Sequence, residues 1–95
     1  GCNIENASFG ATVCAERVAL GRARAQYGEM EPQHIVIVTA EPKATVPCAL
    51  CLQALAEFCA DDFQIHLANE NQILTTYSLK DLLPHPFRHF DKDRK

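Results

Sequence analysis

The 95-residue chain contains no apolar run long enough to span a bilayer, which excludes a transmembrane helix on sequence grounds. It also shows no basic stretch leading into an apolar segment and a small-residue cleavage site, so nothing in it points to secretion. Internal repeats and low-complexity tracts are missing, and Gly and Pro are few and scattered, which rules out solenoid, collagen-like and disordered classes. Basic charge is scarce. The net charge is −3, and four of the nine Lys and Arg residues (Arg88, Lys92, Arg94, Lys95) fall in the last eight positions. The body up to Phe87 is therefore acidic and a poor match for a polyanion, because affinity for DNA or RNA comes mostly from Lys and Arg that neutralise phosphates. What the chain does have is 47% apolar residues, enough for one folded domain. That size sits near the limit at which a single core is stable without a metal or partner subunits.

Five cysteines are present, an odd number that argues against a disulfide framework and for a reducing, cytoplasmic setting. Three of them carry a pattern: C-A-E-R at 14–17 and P-C-A-L-C at 47–51. Cys14, Cys48 and Cys51 are soft ligands suited to Zn²⁺, and three protein ligands leave the fourth corner open, the arrangement of a catalytic rather than a structural site. The spacing fits the zinc-deaminase signature in its all-cysteine form, with Glu16 beside the first ligand as a carboxylate that does not bind the metal.

Periodicity places these residues. A helix is expected after Thr12 to about Tyr27, closed by Gly28. Residues 34–39 (H-I-V-I-V-T) read as a strand buried on both faces. A second helix is expected to open with Pro47 in its first turn and to run to about Cys59, followed by strands at 63–68 and 73–77 around a turn at 69–72. Ser78 and Asp81 suggest a capping box for a short helix before Pro84. Strands alternating with helices imply an α/β layered fold.

Residues two apart on a helix differ by about 200° around its axis, so Cys14 and Glu16 share a metal only if it sits over the helix N-terminus. Cys48 and Cys51, three apart, share a face of the next helix's first turn. The metal is thus expected where two helix N-termini converge, with Arg17 near enough to offset thiolate charge. Cys2 and Cys59 are expected to be small buried residues, Phe58 and Phe63 to belong to the core, and none of the histidines to bind the metal.

G-C-N-I-E-N-A-S-F-G (1–10), C-A-E-R (14–17), P-C-A-L-C-L-Q (47–53) and L-L-P-H-P-F (82–87) together resemble the homotetrameric cytidine/deoxycytidine deaminases of pyrimidine salvage. The resemblance implies a three-layer α-β-α fold with a mixed sheet over residues 1–87, followed by a polar tail at 88–95. It implies hydrolysis of cytidine or deoxycytidine to the uridine nucleoside plus ammonia, with zinc-bound hydroxide as nucleophile and Glu16 as proton shuttle. Asn3 and Glu5 match ribose-binding residues, Ala15 a backbone contact to the cytosine edge, Arg17 the arginine that neutralises ligand thiolates, and Phe87 an aromatic residue lent to a neighbouring subunit. A pyrimidine nucleoside and further copies of the chain are the implied partners, with neither nucleic acid nor membrane among them. The chain departs from the usual P-C-G-A-C-R-Q at Ala49, Leu50 and Leu52, so one thiolate-facing arginine is replaced by leucine. The family's opening helix and β-hairpin have no counterpart, so the chain resembles the C-terminal two-thirds of such an enzyme. A zinc-stabilised scaffold without turnover, and a deaminase of another nucleoside-like substrate, are the competing readings.

Overall fold

The computed structural model describes residues 1–88. The expected tail at 88–95, Arg88 apart, lies outside the described residues. A 3₁₀ turn at Phe9–Ala11 precedes α1 (Ala15–Tyr27), β1 (His34–Val38), α2 (Ala49–Phe58), β2 (Gln64–Ala68), β3 (Ile73–Ser78) and the single-turn α3 (Leu79–Leu82). The three strands form a mixed sheet in the order β1-β2-β3. Parallel pairing sets His34 opposite Gln64 and Val36 opposite His66, and antiparallel pairing sets Ile65 opposite Tyr77. The parallel pair is joined through α2, the crossover such a pair requires.

Helix α1 begins later than periodicity predicts. Ile4 and Val13 exchange both backbone hydrogen bonds, at 2.8 and 2.9 Å, which holds residues 12 and 13 in extended form. Asn3 Oδ1 then accepts from the Ala15 N–H at 2.8 Å and satisfies one donor of the first turn. At the other end Gly28 takes φ 65°, a conformation costly for residues with a Cβ, while its N–H closes on the Arg24 carbonyl. Helix α2 also starts late, two residues after Pro47. Cys48 is its N-cap, and Pro47 lies outside the first turn, buried, with its fixed φ setting the approach. The Ser78–Asp81 capping box at α3 is present in both directions.

Leu52, Leu55, Ala56 and Cys59 of α2 and its C-terminal cap pack on Phe63, Ile65 and Leu67 in and beside β2 and on Leu79 of α3. Leu20 of α1 and the inward residues Ile35 and Ile37 of β1 lie against this core only partly buried. β1 is not covered on both faces as its apolar run suggests. Its outward residues Val36 and Val38 are 54% and 60% exposed, because the described residues supply a helical layer on one face of the sheet only. On the open face His34 Nδ1 lies 3.0 Å from His66 Nε2, and His66 Nδ1 lies 2.8 Å from Thr76 Oγ1, a polar chain across three strands. No helix among the described residues is long and apolar enough to cross a membrane.

Candidate metal centre

The ends of α1 and α2 bring three sulfurs together. Cys14 is the N-cap of α1, Cys48 the N-cap of α2, and Cys51 lies in the first turn of α2. Their Sγ atoms all lie within 4.8 Å of one another, with Cys48 and Cys51 at 3.5 Å. Tetrahedral zinc with sulfur ligands at ~2.3 Å needs sulfurs a little under 4 Å apart, so the cluster can hold the ion with small adjustments. Among the described residues this is the only such group, and the histidines are not part of it. Both helices contribute their positive ends, which favours thiolates there.

The sulfurs are not equivalent. Cys51 is fully buried, and burial followed by the neighbouring Cys48 thiol pushes its pKa up to about 12. Cys48 is lowered, first by the Cys51 backbone N–H directed at its sulfur. Without a cation the buried member of the cluster therefore keeps its proton, and a divalent ion is what would release it. Arg17 lies beside the same sulfurs. The neighbouring Cys51 and Cys14 thiols raise the pKa of its guanidinium, Nη2 donates weakly to the Thr12 carbonyl at 3.4 Å, and the buried Nε has no hydrogen-bond partner among the described residues. Leu52 is only 6% exposed and belongs to the core, so the side chain at that position in this chain turns away from polar work.

Beside the cluster opens a cleft of about 430 Å³ whose walls include Asn3, Cys14, Ala15, Glu16, Val46 and Cys48. Residues Ile35 to Val38 of β1 and the following Thr39 also line it. Glu16 stands in the first turn of α1, half-buried, at the cleft wall. Gly1 runs so close to α1 that a Cβ there would come within 2.7 Å of the Ala19 nitrogen and 2.8 Å of the Ala15 carbonyl. Five residues singled out from the sequence thus meet in one place. Glu5, Arg17, Cys51 and Phe87 do not line the cleft. Asn3 also has a duty the sequence did not reveal: its side-chain oxygen already serves the Ala15 N–H. Cys59 is buried as expected, but Cys2 is exposed and Phe58 is 39% exposed, turned toward Arg24 rather than the core.

A mixed α/β sheet with three cysteine sulfurs at paired helix N-termini and a glutamate in the adjoining cleft defines a zinc-deaminase-type domain. The family described as the cytidine and deoxycytidylate deaminase zinc-binding region matches residues 1–67, and the chain belongs to it. It is 38% identical over 87 residues to a cytidine deaminase of Halalkalibacterium halodurans, covering 92% of this chain and 65% of that protein. It is 33% identical over 91 residues to a cytidine deaminase of Sporosarcina psychrophila, covering 96% and 66%. The chain thus spans just under two thirds of the length of these relatives. Among solved structures, cytidine deaminase from Burkholderia pseudomallei superposes with a TM-score of 0.82 at 36% identity, covering 92% of this chain and 69% of that one. A mutant cytidine deaminase from Mycobacterium tuberculosis gives 0.71 at 31% identity, covering 92% and 64%.

Proposed function

We propose that the protein hydrolyses cytidine or deoxycytidine to the corresponding uridine nucleoside and ammonia. The observation that carries this reading is the cluster of Cys14, Cys48 and Cys51 at the mouth of a cleft whose wall includes Glu16, in a chain of the deaminase family. The three cysteines would hold zinc, which when bound supplies a Lewis acid able to make water a nucleophile near neutral pH. Glu16 takes a proton from the attacking water and passes it to the pyrimidine ring and then to the departing amine. Arg17 offsets the charge of the Cys51 and Cys14 sulfurs, leaving them less electron-rich than three uncompensated thiolates. Ala15, at the cleft wall, offers backbone to the base edge, while Asn3 and Glu5 address the ribose, Asn3 through the nitrogen end of a carboxamide whose oxygen is already engaged.

Phe87 belongs to the same reading as a residue shared between copies, in a homotetramer of the pyrimidine-salvage type working in the cytoplasm. The exposed Val36 and Val38 on β1 support association, since an uncovered apolar edge strand is a surface that proteins normally cover. The acidic body favours a free nucleoside over a polynucleotide.

Ammonia release from cytidine and deoxycytidine by the purified chain, with Glu16→Gln alongside, tests the proposal. Glu16→Gln should keep its metal and fold and lose at least roughly a hundredfold in turnover. Near-normal turnover in that variant would remove Glu16 from the mechanism, and metal binding without turnover in the assembled wild type would favour a zinc-stabilised scaffold.

A further inference from the structure

Phe87 does not line the cleft, yet its backbone is held from two directions. Gln53, on α2, spends both ends of its carboxamide on it: Oε1 accepts from the Phe87 N–H at 3.0 Å, and Nε2 donates to the Phe87 carbonyl at 2.5 Å. The next residue, Arg88, clasps the end of the same helix. Its Nε donates to the Ala56 carbonyl at 3.0 Å, Nη2 to the Cys59 carbonyl at 3.1 Å, and Nη1 to the Asp61 carboxylate. The last carbonyls of a helix lack intrahelical partners, and a cation there also suits the negative end of the dipole. Residues 87 and 88 are thereby fastened along α2, whose first turn carries Cys48 and Cys51.

The fastening does not serve to bury the ring, which stays 55% exposed. A paired amide-to-backbone contact fixes where the chain lies and in which direction the side chain leaves it, whatever that side chain is. A side chain whose backbone is held this way has lost conformational freedom in advance, which reduces the entropy lost on contact with a ligand or another copy.

We propose that Gln53 is the positioning residue for Phe87. It registers the ring against the metal-bearing helix so that the ring enters the substrate pocket of a neighbouring copy at a set height, with Arg88 as the second anchor. This rests on the reading of Phe87 as a residue shared between copies.

Two measurements separate the clamp from that reading. The chain has no tryptophan, so Phe87→Trp introduces a single reporter. Adding Gln53→Met, similar in length but unable to make the paired contact, should lower the reporter's emission anisotropy; unchanged anisotropy overturns the clamp. In the assembled enzyme, Gln53→Met should raise KM for cytidine about tenfold with kcat little changed, the pattern of lost ground-state binding, while zinc content stays at the wild-type level. Mixing the Gln53→Met and Glu16→Gln chains under exchange should bring KM back toward the wild-type value, because mixed assemblies supply a correctly held Phe87 to an intact Glu16 site. A raised KM that mixing does not relieve overturns the positioning role across copies. Phe87→Ala with unchanged KM overturns the shared-ring reading itself.

Discussion

The two halves of the chain are built differently. Among the described residues, the ten buried hydrophobic residues of the core lie between Cys51 and Leu79, in α2, β2, α3 and the connections beside β2, whereas α1 and β1 contain none. The second half is held by burial. The first is held by directed contacts: the Ile4–Val13 bridge, the Asn3 cap on α1, the ladder from β1 to β2, and the weak Arg17 contact to the Thr12 carbonyl. The metal centre takes one ligand from the sparsely packed half and two from the packed one. A zinc ion there would therefore do for α1 what the apolar core does for α2, and the cleft lies along the seam.

Metal removal should give the largest break in this comparison. Binding of structural zinc is worth on the order of 10 kcal/mol in small domains, and most of it is folding free energy. Chelation should strip hydrogen-exchange protection from α1 while β2 and the inner face of α2 keep theirs; uniform loss in both halves would contradict the division. Next in size, Leu67→Ala should cost about 2–5 kcal/mol in denaturant unfolding, the range for large-to-small changes in a core. Val36→Thr, on the open face of β1, should stay within about 0.5 kcal/mol as a surface change. Equal costs would mean that the open face is covered in solution. Val36→Lys sharpens that point, because a charge on an edge strand opposes pairing and docking. It should lower the association state in sedimentation, and an unaltered assembly would move the interface elsewhere.

The last test is a dependence on alkaline pH confined to the packed half. Burial pushes the Cys59 thiol up to about 11 from an ordinary value of 9.0. The folded state therefore prefers the protonated thiol more strongly than the unfolded chain does. That stability is fully present below pH 9 and is lost as pH rises toward 11, by roughly 2 kcal/mol. Cys59→Ala should flatten the slope of stability against pH in that window relative to wild type. An unchanged slope would mean that Cys59 titrates as an exposed thiol does.

Much of this is legible in the residues. The two-residue step from Cys14 to Glu16 and the three-residue step from Cys48 to Cys51 already point to two converging helix N-termini, and the structure places the cysteines at the N-caps and first turn accordingly. The Ser78 capping box is readable because its two partners are only three residues apart in the chain. β1 departs from its expected double burial because a continuous apolar run records what a strand can bury, not what lies across from it. The start of α1 escapes local reading for a related reason: Asn3 and Ile4 act across twelve and nine residues, beyond any local propensity. Leu52 illustrates the same limit at the site. The family resemblance implies an arginine there where this chain has leucine, but only packing shows that the side chain fills the core.

Zinc content per chain in unchelated protein, measured beside Cys14→Ser, Cys48→Ser and Cys51→Ser, bears most directly on a metal that joins the two halves. The expected result is about one zinc per wild-type chain and a marked loss in each variant, with Cys14→Ser also freeing α1 as chelation does. Wild-type protein without zinc, or Cys14→Ser retaining the full complement, would contradict the account.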